Sequence, residues 1–226
     1  MFHDFLNLFY PDVCQICDHI LVKNENVICL NCLHELPVTN FHQDNENPVK
    51  KVFYGRVNVE EATALLLFQK KGGVQKLIHN LKYKGHRNIG EFLGKWMGEE
   101  LSRSPHFSEI DAVIPVPLHR RKLRSRGFNQ VEDFGKEIAA ALNVPYLDNV
   151  LQKRSYSTSQ TIKARLARWG NIEESFVLIH PEKIHNMHLL LVDDLITTGA
   201  TLEACAGVLQ EAKDIKISMA TMAFAS

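Results

Sequence analysis

Two adjacent carboxylates followed by a cluster of hydroxyl side chains form the most chemically distinctive stretch of the sequence, LLLVDDLITTGATL (residues 189–202). Carboxylate oxygens such as those of Asp193 and Asp194 can accept hydrogen bonds from sugar hydroxyls or bind a divalent cation. The small and hydroxyl residues that follow are Thr197, Thr198, Gly199 and Thr201. Together with the backbone N–H groups of a helix N-terminus, they are typical of a phosphate site. The stretch therefore predicts a site for a ribose 5-phosphate.

A strand and a helix must position these groups. Residues 189–192 form an apolar run without alternation, which is typical of a strand buried on both faces of a parallel sheet. We expect Asp193 and Asp194 to end this strand, and apolar residues at helical spacing predict a helix over 200–212, with Cys205 in the core. In an ordinary strand-to-helix loop an Asp could simply cap the helix, but capping requires only one carboxylate.

Two Cys-x-x-Cys pairs separated by eleven residues lie near the N-terminus: Cys14, Cys17, Cys29 and Cys32. Two such knuckles complete a tetrahedral zinc site, and four thiolate ligands leave no open catalytic position, so we expect a structural zinc. Iron–sulfur ligation would add redox chemistry for which nothing else in the sequence has a use. A redox enzyme needs only one such pair. His19 and His34 lie beside the knuckles and are alternative ligands, although packed or solvated histidines are the more usual case.

From residue 110 onward, strand and helix patterns alternate, which predicts a parallel α/β sheet. A strand over 112–115 leads into a turn, a basic loop and a helix over 129–142. Five of the seven residues in RRKLRSR (120–126) are Arg or Lys. Such a run is usually a solvated face and otherwise a nucleic-acid patch. Its place after the neighbouring strand, at the same edge as the carboxylates, would also supply cations for a phosphate-bearing ligand.

The chain divides into three predicted parts: an N-terminal helix and cysteine segment (1–38), a polar linker (39–50) and the α/β domain (51–226). The N-terminal helix is expected to dock through one apolar face, formed by Phe2, Phe5, Leu6 and Phe9. A β-hairpin is predicted with arms over 52–59 and 62–69, followed by a helix after Gly73 and another over 89–101.

Composition restricts the function classes. The formal net charge is zero, so any attraction to nucleic acid must be local. No apolar run reaches the length of a membrane span, so we expect no membrane insertion, and the N-terminus lacks the pattern of a signal peptide. Five cysteines, an odd number, argue against a secreted disulfide framework. We therefore expect a cytoplasmic protein.

The order of the motifs resembles the ComF family, phosphoribosyltransferase-like proteins associated with competence for DNA uptake in bacteria. The matching stretches are CQIC…CLNC, LKYKGH (81–86), VIPVPLHRRKLRSRGFNQ (113–130), SQTIKARLARWGNIEESF (159–176) and LLLVDDLITTGATL. The last of these resembles the phosphoribosyl pyrophosphate (PRPP) signature of type I phosphoribosyltransferases. The resemblance implies a type I phosphoribosyltransferase-like parallel sheet flanked by helices, with a small N-terminal zinc-binding segment.

The resemblance also implies roles for individual residues. Asp193 and Asp194 would hold the ribose hydroxyls, and the loop from Thr197 to Thr201 would hold the 5-phosphate, with Mg²⁺ accompanying PRPP. A turn at Val116, Pro117 and Leu118 resembles the pyrophosphate-binding loop. Arg120, Arg124 and Arg126 would neutralise pyrophosphate or contact a second ligand. A segment that closes over PRPP in related transferases corresponds to residues 152–171, with candidates Lys153, Arg154, Gln160 and Arg168.

Three functions fit these features. The chain is either a transferase that passes ribose 5-phosphate from PRPP to a small acceptor, a DNA-uptake module that binds PRPP and single-stranded DNA, or a PRPP-binding regulator without DNA contact. The DNA hypothesis rests on the basic run with Phe128 beside it, because single-strand sites combine cations with an aromatic side chain for stacking. Other DNA-uptake proteins are the partners it implies.

Overall fold

The computed structural model describes residues 11–154 and 176–225. Its main sheet has four parallel strands in the order β1-β6-β5-β2, and β3 and β4 form a separate antiparallel pair. The strands are β1 (Ala62–Leu67), β2 (Ala112–Pro115), β3 (Leu151–Lys153), β4 (Phe176–Leu178), β5 (His188–Ile196) and β6 (Lys216–Phe224). The helices are α1 (Leu30–His34), α2 (Pro48–Lys51), α3 (Gly73–Tyr83), α4 (Asn88–Arg103), α5 (Arg120–Arg126), α6 (Glu132–Leu142) and α7 (Ala200–Leu209).

The main sheet is covered on both faces, which explains the continuous apolar sequence of its central strand. Residues 189–192 of β5 are fully buried. One apolar cluster packs α3, α4, α6 and the cysteine segment against the sheet, through side chains such as Leu77, Leu93 and Phe134. A second cluster on the other side includes Phe53 and Leu202, and it contains the buried Cys205. The predicted fold class, a parallel sheet flanked by helices with a small N-terminal cysteine segment, is confirmed.

The predicted hairpin is wrong in its first arm. Residues 52–57 form turns after α2, and β1 pairs in parallel with β6 instead of with a preceding strand. Of the two aromatic residues of this stretch, Phe53 is 1% exposed in the second apolar cluster and Tyr54 is 51% exposed. Burial of Phe53 by tertiary contacts therefore overrides the local strand preference.

Residues 39–50, predicted as a polar linker, contain a 3₁₀ turn at Phe41–Gln43 and the helix α2. Asn47 caps α2 by accepting from the N–H groups of Val49 and Lys50, and its amide donates to the Ala62 carbonyl at 2.8 Å. Both Asn47 and Val49 are buried. This segment is thus packed against the start of β1.

Residues 1–10 and the predicted docking helix lie outside the described residues. Within the described ranges, every helix is too short or too polar to cross a membrane.

Candidate functional site

The β5–α7 loop carries the predicted phosphate-site residues. Thr197 and Thr198 are exposed, whereas Gly199 is buried and adopts a left-handed φ of 74°. Asp193 and Asp194 do not end the strand as expected. Parallel pairing with β6 continues to Ile196 because β6 is equally long, so both carboxylates project from within β5.

The segment after α2 supports this loop from behind. A Cβ atom on Gly199 would lie 2.7 Å from Val52 Cγ1 and 3.0 Å from Phe53 Cε1, so only glycine fits against these side chains. Arg56 donates to the Thr198 carbonyl at 2.7 Å and pairs with Glu203 of α7. Nothing in the sequence around Arg56 marks it as a loop-holding residue.

The two carboxylates have different surroundings. Lys82 Nζ donates to Asp194 Oδ1 at 2.7 Å, and Gln130 Nε2 donates to Asp194 Oδ2 at 2.7 Å. Asp193 Oδ1 accepts from the Asp194 N–H at 2.8 Å. Burial and the charge of Asp194 raise the pKa of Asp193 to about 8, while the cations of Lys82 and Lys153 oppose this rise. An added cation or hydrogen-bond donor would therefore favour the ionised form of Asp193.

The turn at Val116–Leu118 lies directly beside the carboxylates. Pro115 pairs with Val192 across β2 and β5, and the Val116 N–H donates to the Val192 carbonyl at 2.9 Å. The Asn129 amide donates to the Val116 carbonyl and fixes the turn from the other side. The predicted pyrophosphate turn and the acidic pair thus lie close together, toward the carboxyl-terminal ends of β2 and β5.

The predicted basic loop is instead the helix α5. His119 Nδ1 accepts from the Arg121 N–H at its start, and Gly127, with φ of 81°, ends it. Arg and Lys are good helix formers, so these two end signals suffice to fold the run as a helix. Arg120, Arg121, Lys122 and Arg124 are exposed, and Arg126 is half-buried.

The aromatic residue expected beside these cations is not available for stacking. Phe128 is 7% exposed, and the Arg87 guanidinium lies 5.2 Å from its ring centroid. Tyr83, at the end of α3, is 67% exposed, and the Arg126 guanidinium lies 5.2 Å from its ring centroid. Tyr83 therefore replaces Phe128 as the aromatic on this surface. The clue in the sequence was Tyr83 between two lysines.

The segment expected to close over PRPP is described only at its start. Lys153 ends β3, and its ammonium lies 5.1 Å from the Phe176 ring centroid; Arg154 is exposed. Lys153 is near enough to Asp193 to influence its pKa. The other two candidates, Gln160 and Arg168, lie outside the described residues.

The four predicted metal-ligand cysteines come together. Their sulfur atoms all lie within 4.8 Å of one another, and Cys17 Sγ and Cys29 Sγ are 3.7 Å apart. Tetrahedral zinc with Zn–S bonds of about 2.3 Å places its sulfur ligands about 3.8 Å apart, so this spacing fits a single ion. Burial and the neighbouring thiols raise the pKa of Cys32. A cation at the centre would remove this obstacle to forming thiolates. His19 and His34 are not part of the cluster.

The first cysteine knuckle is bonded to α3. Asn80 donates to the Gln15 carbonyl at 3.0 Å, and Lys76 donates to the Ile16 carbonyl at 2.6 Å. The Ile16 side chain also packs against Gly73, where a Cβ would lie 3.1 Å from Ile16 Cγ2. The cysteine segment therefore contacts the same helix that carries Lys82.

Comparison with known proteins identifies relatives along most of the chain. No protein-family model matches the sequence. Competence protein ComFC from Streptococcus pneumoniae is 31% identical over 209 residues, which cover 90% of this chain and 84% of that protein. The DNA utilization protein YhgH from Escherichia coli K12 is 26% identical over 210 residues, 90% of this chain and 86% of that protein. Among solved structures, a glutamine PRPP amidotransferase from B. subtilis, complexed with ADP and GMP, matches with a TM-score of 0.41 and 16% identity. The match covers 62% of this chain but only 30% of that larger one.

Proposed function

The chain belongs to the ComF family, and from this premise we propose that it acts in DNA uptake and utilisation, binding PRPP with Mg²⁺ and single-stranded DNA at one edge of its sheet. The names of the relatives, competence protein and DNA utilization protein, support the DNA-related role. The free thiols of the cysteine segment fit a cytoplasmic location, where cysteines stay reduced.

The observation that carries the proposal is the parallel pairing of β2 with β5 up to Pro115 and Val192. This pairing sets the acidic pair of β5 and the hydroxyl loop that follows it (Thr197 to Thr201) beside the turn and the cationic helix α5 that follow β2. A ribose 5-phosphate fits the first half, with its phosphate at the N-terminus of α7 and its diol at the carboxylates. A pyrophosphate or a nucleic-acid backbone fits the second half, because both are polyanions.

Mg²⁺ suits the donor chemistry of this edge. It prefers carboxylate and phosphate oxygens, and Asp193 and Asp194 are carboxylates on the strand that leads into the loop. Bound Mg²⁺ would neutralise part of the charge of the pyrophosphate. The chain's own hydroxyls and N–H groups would orient the sugar phosphate.

Calorimetric titration with PRPP and Mg²⁺ tests the ribose-phosphate site. The wild type should bind, and the double variant Asp193→Asn/Asp194→Asn should not. Asp214→Asn is the matched control, because Asp214 is an exposed carboxylate in the α7–β6 connection, at the amino-terminal end of the parallel strands. Equal affinity of all three proteins would contradict the assignment of this site.

The DNA surface is defined here as the exposed cations of α5 together with Arg126 and Tyr83. Cations that track a backbone and an exposed aromatic ring that stacks on bases are the usual features of single-strand binding. Fluorescence anisotropy with labelled oligo-dT should show affinity that falls with salt, with a slope of about −0.7 per phosphate neutralised.

Charge reversal identifies the surface. Arg121→Glu/Arg124→Glu should weaken oligo-dT binding and reduce the magnitude of the salt slope by about 1.4, if each arginine contacts one phosphate. Lys183→Glu/Lys213→Glu is the control, because both lysines are exposed and precede β5 and β6 at the opposite edge. Unchanged oligo-dT binding by the α5 variant would refute the assignment of DNA binding to this surface. PRPP binding without any DNA binding would favour the regulator hypothesis.

An active phosphoribosyltransferase is the second candidate function. Both carboxylates, the loop from Thr197 to Thr201 and the cationic helix α5 lie in or follow neighbouring parallel strands, which favours this function, since departure of pyrophosphate needs stabilisation of negative charge. Transfer of ribose 5-phosphate to an acceptor would release pyrophosphate, which a coupled assay detects. Binding of PRPP without pyrophosphate release across a broad acceptor panel would count against transfer.

The cysteine cluster is proposed to hold one structural zinc ion. All four sulfur atoms converge, so the coordination would be closed and without a catalytic position. Metal analysis of freshly purified protein should find one zinc per chain, and protein without zinc would contradict this.

A further inference from the structure

The two carboxylates have unequal surroundings, which indicates that they have different roles. We propose that Asp194 is a positioning residue, held by Lys82 and Gln130, and that Asp193 alone faces the ribose phosphate. This inference rests on the proposed PRPP site and assigns a role within it to Lys82 and Gln130, two residues that the resemblance leaves without one.

Both oxygen atoms of Asp194 are already engaged. Oδ1 accepts from Lys82 and Oδ2 from Gln130, each at 2.7 Å, and only 5% of the residue is exposed. Each oxygen keeps a further lone pair, but the burial of Asp194 between Lys82 and Gln130 leaves little surface from which a sugar hydroxyl could reach it. Among residues 11–154 and 176–225, Asp193 has a hydrogen-bond donor on Oδ1 only, the Asp194 N–H. Its Oδ2 is therefore the oxygen that a ligand would gain most from contacting.

The hydrogen bonds around Asp194 extend to the DNA surface. Gln130 donates through Nε2 to Asp194 and accepts through Oε1 from Arg126 Nη1 at 2.8 Å. The Arg126 guanidinium in turn lies over the ring of Tyr83, the neighbour of Lys82 in the chain. One carboxylate thus holds two segments, 82–83 and 126–130, which approach it from different elements. Its loss should disturb both.

Lys82 also sets the charge of the acidic pair. Two uncompensated carboxylates beside a phosphate-bearing ligand would repel it, and the Lys82 ammonium neutralises one of them. When Asp193 is ionised, the acidic pair together with Lys82 carries a single net negative charge toward a polyanionic ligand. Without Lys82, binding should depend more strongly on added divalent cation.

A double-mutant cycle on thermal unfolding, without ligand, tests the role of Asp194. Lys82→Met and Asp194→Asn should each lower the unfolding temperature, and the double variant should lose less than the sum because it leaves no unpaired charge. Asp193→Asn should not lower it. Lys84→Met is the matched control, since Lys84 is exposed and two residues away. Additive losses in the cycle would overturn the positioning role.

Titration with PRPP separates positioning from simple destabilisation. Lys82→Met should lower PRPP affinity at least tenfold at low Mg²⁺, and raising Mg²⁺ should recover most of this loss. Lys82→Arg should bind as the wild type does. Asp193→Asn should abolish binding without lowering the unfolding temperature. Asp194→Asn that loses PRPP binding while unfolding at the wild-type temperature would overturn the proposal, because Asp194 would then be a ligand group.

The proposed PRPP site can be refuted independently of the positioning role of Asp194. A wild type that binds no PRPP would refute the site and, with it, the ligand-facing role of Asp193. The thermal cycle needs no ligand and would still decide whether Asp194 is a positioning residue.

Discussion

Replacing Gly199 by Ala should destabilise the fold at the β5–α7 loop. A non-glycine residue at the observed φ of 74° costs about 1–2 kcal/mol. The new Cβ would meet Val52 Cγ1 at 2.7 Å and Phe53 Cε1 at 3.0 Å. Such overpacking typically costs about 1–3 kcal/mol. The combined loss of unfolding free energy is therefore roughly 3 kcal/mol, which for a domain of this size is a fall in Tm of about 6–12 °C.

Differential scanning calorimetry of two glycine variants checks this reasoning. Gly207→Ala is the matched control, because Gly207 is an exposed residue of α7 with no atom within 4 Å of the added Cβ. Alanine there should stabilise the helix by about 0.5–1 kcal/mol. If Gly199→Ala unfolds within about 2 °C of the wild type, the steric argument is wrong, since its two costs cannot both vanish.

Three further predictions follow from the site. The raised pKa of Asp193, to about 8, means that ionisation opposes folding, so wild-type stability should fall from about pH 4 to pH 8. Asp193→Asn should flatten that dependence in thermal unfolding at pH 5 and pH 8, and an unchanged slope would refute the shift. Cys14→Ser should lower the zinc content measured by atomic absorption, whereas Cys205→Ser should keep full zinc even though it perturbs the core. Arg56→Ala should weaken PRPP binding about fivefold, because the hydrogen bond to the Thr198 carbonyl contributes about 1 kcal/mol; equal affinity would show that the loop holds itself.

The features predicted correctly from the sequence have local signals. The apolar run at 189–192 indicated a strand buried on both faces, and its neighbour at 112–115 followed the same rule. Spacing alone identified the cysteine cluster, because two knuckles leave few other arrangements for four thiols. Each of these patterns lies within about 20 residues of sequence, so no long-range information was needed.

The errors have physical causes. The sequence Asn47-Pro48 carries a helix start signal, an N-cap followed by a proline in the first turn, but the aromatic and β-branched residues after it favoured a strand. The charge of residues 120–126 favoured a loop. The helix propensity of Arg and Lys and the left-handed stop at Gly127 outweighed it. Burial of Phe53 decided the first case, whereas local helix-end signals decided the second.

The contact between Lys82 and Asp194 spans 112 residues, and a single sequence gives no sign of it. It also links two features that the sequence presents as separate. Asn80 of α3 binds the Gln15 carbonyl within the first cysteine knuckle, and Lys82, two residues later, binds Asp194. If the proposed zinc holds the first knuckle against α3, its removal would release α3, and Lys82 would lose its fixed position. The cysteine segment should therefore contribute to PRPP affinity although no cysteine lies among the predicted ligand-binding residues.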